Sequence, residues 1–313
     1  MNAFLLTGTT GPDSLQTTTL STPTIGPAEV LVQVIAISLN PVDVKTTYGK
    51  GVYGRLKDEQ PLIPGWDISG VVSAVGADVT DFKVGDEVFG MVNFPGHGRA
   101  YAEYMAAPAA HLARKPASIS HEEAAATTLA ALTAWQALVT KAHVQPGQRV
   151  LIHAAAGGVG HFAVQLAKEL GAYVIGTSSA AKRDFVLSLG ADEHVDYTQV
   201  RFEDAVQPVD MVLDAIGGDN MVRSLDVVKP GGTLISIPSG LSPDITERAA
   251  AKGIHGYFFL VSSDGTDMQR LAERLADGRL RAHVSQALPF AELTEALRLV
   301  ESGKTQGKVV VVL

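Results

Sequence analysis

The period of the hydrophobic positions changes partway along this chain. From residue 1 to about 120, apolar residues come in short runs rich in β-branched side chains, at 3–6, 29–38, 67–75, 87–92 and 100–106, cut by Gly11-Pro12, Gly26-Pro27 and Pro64-Gly65. Runs of that length between such breakers predict strands, so this part reads as an all-β block, with 40–48 (NPVDVKTTY) a turn entering a brief helix. From His121 the texture becomes helical: HEEAAATTLAALTAWQALV follows Ser120, a suitable N-cap, and places Glu122 and Glu123 in the first turn. Strand-like runs then alternate with mostly helical stretches, at 150–152, 173–176, 193–196, 211–214, 233–237 and 256–261. Such alternation predicts a doubly wound, mostly parallel α/β sheet that binds its ligand at the carboxyl ends of the strands. The last fifty residues read as a helix at 267–277, a strand at 282–286, a helix at 290–302 and a terminal strand KVVVVL. This tail is expected to return to the β-rich part, giving segments 1–122, 123–262 and 263–313.

The strongest chemical signal is RVLIHAAAGGVGHFAVQLAKELG, residues 149–171. It reads as strand, turn and helix: Val150, Leu151 and Ile152 suit a buried parallel strand, and Phe162, Val164, Leu166, Ala167 and Leu170 recur at helical spacing. The turn holds Gly157, Gly158 and Gly160. Glycines let backbone approach a ligand with no Cβ between, and the helix that opens there points unpaired N–H groups and its positive dipole end at an anion. A second strand, YVIG at 173–176, completes the strand–helix–strand unit that a dinucleotide site requires. A site selective for NAD usually has Asp or Glu at the end of that second strand. Here Thr177, Ser178 and Ser179 follow it, then Lys182 and Arg183. Hydroxyls and cations suit a ribose 2′-phosphate, through charge-assisted hydrogen bonds worth roughly 1.5–3 kcal/mol each, so NADPH is expected. The plainer alternative makes Ser178 and Ser179 helix caps and Lys182 and Arg183 a solvated face.

Composition narrows the classes. Hydrophobic residues make up 46% and charged residues 19% of the 313, as in a buried sheet with many turns, and the length suits two domains. A net charge of -8 with no long basic run argues against a nucleic-acid partner. With no cysteine there is no disulfide, thiol nucleophile or thiolate metal site. No apolar run reaches the roughly 18 residues of a membrane span, and the N-terminus lacks a basic start before its apolar stretch, so a cytoplasmic protein is expected. His153, beside the glycine turn, reads as a packed strand residue rather than a base.

Several motifs in the same order resemble the medium-chain dehydrogenase/reductase superfamily, and within it the zinc-free quinone oxidoreductase and alkenal/enone reductase branch. They are SLNPVDVKTTYGK (38–50), PLIPGWDISGVVSAVG (61–76), FKVGDEVFG (82–90), HAAAGGVGHFAVQLAKELGA (153–172), SLGADEHVDYT (188–198), DAIGG (214–218) and GKVVVVL (307–313). The resemblance implies a mostly-β GroES-like domain, a Rossmann NADPH-binding domain, a homodimer, and hydride transfer to a quinone or to the C=C bond of an α,β-unsaturated carbonyl. Asn40 and Trp66 fall where the zinc-dependent relatives have Cys and His ligands, so no catalytic metal is expected. Asn40, Lys45, Tyr48 and Tyr53 are the catalytic candidates implied: Asn40 as a donor to substrate or cofactor ribose, Lys45 as a cation near a developing enolate oxygen, the tyrosines as pocket lining. Thr133, Ala156, Gly157, Gly158, Val159, Gly160, Ser178, Ser179, Lys182, Tyr197, Ile216, Ile237 and Phe259 are the cofactor-binding candidates. GTLISIPSG (232–240) and YFFLV (257–261) should flank the nicotinamide end; alternatively YFFLV is an edge strand pairing with a second copy. A different class also stays open, a nucleotide-binding regulator or structural protein with little turnover.

Overall fold

The computed structural model describes residues 1–238 and 243–313. The chain divides into two compact units, residues 1–132 with 261–313, and residues 133–260. The first division falls inside the helix that begins at His121, because that helix is continuous across the change of unit.

In the first unit, β1 (Asn2–Leu6) and β2 (Leu15–Thr19) form a two-stranded antiparallel ribbon. The main sheet contains β3 (Glu29–Ser38), β4 (Asp67–Val75), β5 (Glu87–Met91), β6 (Tyr104–Pro108) and β7 (Leu112–Arg114). Two later strands join it, β14 (Val284–Pro289) and β15 (Lys308–Val312), in the order β14-β15-β3-β4-β5-β7, with β6 also paired to β3. β15 pairs antiparallel with β3, Val310 opposite Ser38. Short helices α1 (Pro41–Thr47) and α2 (Tyr53–Leu56) follow β3. Then comes α3 (His121–Trp135), whose Ser120 caps the Glu123 amide at 3.2 Å while Glu123 reaches back to the Ser120 N–H at 2.9 Å.

The second unit is built on β8 (Arg149–Ile152), α4 (Gly160–Glu169), β9 (Tyr173–Ser178), α5 (Arg183–Ser188) and β10 (Glu193–Asp196). It continues through α6 (Phe202–Ala205), β11 (Val209–Asp214), α7 (Asp219–Ser224), β12 (Val228–Ser236), α8 (Pro243–Ala251) and β13 (His255–Phe258). Its sheet runs β10-β9-β8-β11-β12-β13 with every pairing parallel. That is the strand order of a Rossmann sheet, whose direction reverses beside the first strand, β8. Val150, Leu151 and Ile152 are fully buried, as a strand covered on both faces requires. Helices α9 (Gly265–Ala276) and α10 (Leu293–Glu301) complete the first unit.

Several boundaries differ from expectation. β2 escapes the hydrophobic pattern because only Leu15 of its LQTTT is buried. β6 begins at Tyr104 rather than residue 100, since Ala100 and Tyr101 instead donate their amides to Gly65 and Pro64. β9 continues to Ser178, two residues beyond Gly176, and β13 stops at Phe258.

On the sheet of the second unit, Phe202 is 2% exposed and packs in a core with Leu151, Ile175, Val212 and Leu234. Truncating such a ring removes its burial and leaves a cavity. Phe202→Ala is expected to lower unfolding free energy by about 3–5 kcal/mol, measured by urea unfolding of the intact chain.

Candidate functional site

The glycine turn lies at the carboxyl end of β8, where a Rossmann sheet binds its ligand. Ala154 takes a positive φ of 52°, the Gly157 amide closes onto the Ala154 carbonyl at 2.8 Å, and α4 opens at Gly160. A Cβ at Gly160 would stand 2.2 Å from the Ala154 carbonyl oxygen, so no side chain fits where the turn folds back on the helix. Gly176 is equally closed, its would-be Cβ 2.6 Å from Val186 and 2.9 Å from Ala155. These two contacts press α4 and α5 onto the sheet and leave the last amides of the turn leading the helix. Ala156 is buried, while Gly157, Gly158 and Val159 are partly exposed.

At the ends of β9 and β10 the structure gathers Ser178, Ser179, Lys182 and Tyr197: Asp196 pairs with Ser178, and the Tyr197 amide donates to the Ser178 carbonyl at 3.3 Å. The two serines differ. Ser178 is 4% exposed, donates its hydroxyl to the Ser179 carbonyl at 3.1 Å and lies 2.8 Å from His194 Nε2, which must therefore be the donor in that pair. Its O–H is spent internally, whereas Ser179 is partly exposed and its side chain does not cap the following 3₁₀ turn. Burial lowers the pKa of the partly exposed Lys182. Tyr197 is exposed. Asp196, the carboxylate at this end of β10, accepts from the amide of Thr198 at 3.0 Å and its hydroxyl at 2.8 Å.

The end of β11 is organised by Asp214. Its buried carboxylate accepts from the amides of Ile216 (3.1 Å) and Gly217 (2.9 Å), from Asn220 Nδ2 (2.9 Å) and from the Ser236 hydroxyl (3.1 Å). Ile216 is left 51% exposed on this turn. The Ile237 amide donates to the Asp214 carbonyl at 3.0 Å and the Phe259 amide to the Ser236 carbonyl at 2.9 Å, so both residues belong to the same strand ends. Phe259 is buried with Lys141 Nζ 6.0 Å from its ring centroid, and Thr133 is buried in the last turn of α3. Of GTLISIPSG, Ser239 and Gly240 lie outside the described residues.

The first-unit candidates follow β3, at the N-cap, in the body and at the C-cap of α1 and at the start of α2. Asn40, 2% exposed, donates Nδ2 to Asp67 Oδ2 at 2.7 Å and accepts from Lys308 Nζ through Oδ1; its amide donates to Asp43 Oδ2 at 2.6 Å. Both ends of the carboxamide are thus engaged inside the protein, which suits positioning rather than the donor role expected for it. Lys45, on α1, is half-buried, and burial lowers its pKa. Tyr48 packs its ring over Gly11 and hydrogen-bonds Glu301, which raises the phenol's pKa. Tyr53 opens α2.

Sequence reasoning missed Asp43, Asp67, Tyr101 and Lys308. Burial, then the neighbouring Asp67, pushes Asp43 up to about 7; burial also raises Asp67 and Tyr101 and lowers Lys308. The legible signals were an acid three residues after Asn40, half of a capping box, and a lone cation heading an all-valine strand.

His153 is packed, as expected, but in the turn one residue past the end of β8 rather than in the strand; it is 1% exposed with Phe202 edge-on at 4.6 Å. Ser224, 3.1 Å from Nε2, gives its proton to the Asn220 carbonyl, so Nε2 donates and Nδ1 accepts from Thr177 at 3.1 Å. Burial holds this imidazole down at about 4, against an ordinary 6.5. The folded state therefore binds fewer protons than the unfolded one between those values, and its stability is present above pH 6.5 and lost as pH falls towards 4. Replacing the ring in His153→Gln is expected to remove roughly 3 kcal/mol of the loss in unfolding free energy between pH 7 and pH 4. Urea unfolding of both proteins at the two pH values measures it.

Known proteins share this organisation. Residues 26–117 match the family described as "Alcohol dehydrogenase GroES-like domain", and residues 189–311 the family described as "Zinc-binding dehydrogenase". The chain is 35% identical to a 2-methylene-furan-3-one reductase of Solanum lycopersicum, over 93% of this chain and 74% of that protein. It is 34% identical to a chloroplastic NADPH-dependent alkenal/one oxidoreductase of Arabidopsis thaliana, over 99% of this chain and 79% of that one. The solved quinone oxidoreductase of Coxiella burnetii superposes with a TM-score of 0.95 at 36% identity, covering 100% of this chain and 99% of that one.

Proposed function

Since the chain belongs to the medium-chain dehydrogenase/reductase superfamily, we propose that it is an NADPH-dependent reductase of quinones or of the C=C bond of α,β-unsaturated carbonyls. The observation that carries this reading is the close-packed glycine turn opening α4 together with the strand ends beside it, where Ser179, Lys182 and Tyr197 gather. The residues fit the cofactor. The amides of 157–160 would hold its pyrophosphate, Ser179 and Lys182 its 2′-phosphate, with Tyr197 alongside, and Ile216, Ile237, Phe259 and Thr133 its nicotinamide end. When bound, NADPH supplies a hydride and the acceptor becomes an enolate or hydroquinone anion. Lys45, already short of solvent, is the cation for the developing oxygen charge; Tyr48 and Tyr53 line the acceptor's approach; water supplies the final proton.

We read the reaction as independent of zinc. Trp66 turns its one polar atom, Nε1–H, to the Gly96 carbonyl at 2.7 Å and has no lone pair to give a metal, and the Asn40 oxygen is held by Lys308. A conjugated acceptor suits such a site, because hydride adds to carbon while charge spreads to oxygen, and no alkoxide has to be stabilised. We also read the protein as a homodimer joined along β13, an edge of the parallel sheet that carries the half-buried Tyr257 and Phe258. Among the described residues no helix is long and apolar enough to cross a membrane.

Lys182→Ala tests the cofactor assignment. Losing one charge-assisted bond to the 2′-phosphate should raise the Kd for NADPH roughly 10- to 150-fold and leave that for NADH nearly unchanged. Fluorescence titration reads both constants, while NADPH oxidation against a panel of quinones, enones and enals reads the reaction. Equal kcat/KM for the two cofactors would overturn the NADPH assignment, and tight NADPH binding without oxidation by any acceptor would favour a regulator.

A further inference from the structure

We propose that Lys308, at the head of the C-terminal strand β15, is a positioning residue for the reducing site: its ammonium fixes the Asn40 carboxamide and with it the start of the helix that presents Lys45. The proposal rests on the reductase reading in taking Lys45 as the working cation.

Lys308 is 3% exposed and donates to the Leu39 carbonyl at 2.8 Å and to Asn40 Oδ1. An ammonium has only donors, so it dictates which end of the Asn40 amide faces it. The other end, Nδ2, is thereby aimed at Asp67 Oδ2, 2.7 Å away, while Asp67 Oδ1 accepts the Leu129 amide of α3 at 3.1 Å. Asn40 is also the N-cap residue of α1, and its N–H enters Asp43 Oδ2 at 2.6 Å. One cation therefore orders a line of donors and acceptors running from β15 through α1 to β4 and α3. The charged groups acting on it are Asp43 and Asp67, both buried. Without Lys308 they would face each other uncompensated, and the amide of Asn40 would be free to turn over. The buried Tyr101 hydroxyl hydrogen-bonds the Asp43 carboxylate and so belongs to the same network. Lys45 lies one turn along α1 and inherits whatever orientation the N-cap takes.

Lys308→Met keeps most of the side chain's bulk and removes the charge. With an acceptor that the wild-type protein reduces, kcat should fall at least tenfold while the Kd for NADPH stays within twofold. Hydrogen exchange at the α1 amides should accelerate at least tenfold, with that of α4 unchanged. Asn40→Asp alone should behave similarly, because it sets a third carboxylate against Asp67. Combined with Asp67→Asn, it swaps donor and acceptor, keeps the net charge, and should regain most of the lost turnover. The proposal is overturned if Lys308→Met leaves kcat and α1 exchange unchanged, if exchange accelerates equally throughout the first unit, or if the folded double variant recovers no turnover. Failure of the reductase reading looks different: wild-type protein would reduce none of the acceptors at the expense of NADPH, and α1 exchange in Lys308→Met would still decide whether Lys308 sets the helix.

Discussion

A pyrophosphate can be gripped by main-chain amides only if the chain comes within hydrogen-bond reach of it, and that requires a turn packed too tightly for side chains. Among the described glycines of the second unit, Gly160 leaves the least room for a Cβ, 2.2 Å from the Ala154 carbonyl oxygen. Much of the surrounding architecture follows from it. A helix that starts so close to the sheet needs a strand buried on both faces beneath it, and a fully buried parallel strand needs neighbours on each side. The apolar VLI of β8 and the strand order around it are what this approach demands.

The first unit solves a different problem, that of ordering charge in a place with little water. Asn40, Asp43, Asp67 and Lys308 are each almost fully buried, and none would be tolerable alone. Their mutual bonds turn a liability into a rigid reference for α1. The Ser178–His194 and Asp214 arrangements do the same at the carboxyl ends of the parallel strands, where polar side chains brace the backbone.

What was legible in the sequence tracks how local the determining interaction is. β3 and β4 were readable to the residue because their apolar runs are bounded by glycine and proline. The glycine turn was readable because its motif and its structural reason occupy the same few residues. β2 was not, since its threonines carry no hydrophobic period and its order comes from pairing with β1. The buried network was least visible: the partners of Asn40 lie 27 and 268 residues away, and nothing in the local pattern announces that they meet. Local sequence alone therefore leaves Asn40 a freer side chain than the packing allows.

The sheet of the first unit takes β14 and β15 from residues that follow the whole of the second unit in the sequence. During translation the second unit, a continuous segment, can collapse as soon as it leaves the ribosome, whereas the first must wait with β3 lacking its β15 neighbour. Until Lys308 emerges, Asp43 and Asp67 have no counter-ion and are better left hydrated than enclosed. The nascent chain thus matures from the middle outward, with the lysine as the late-arriving keystone.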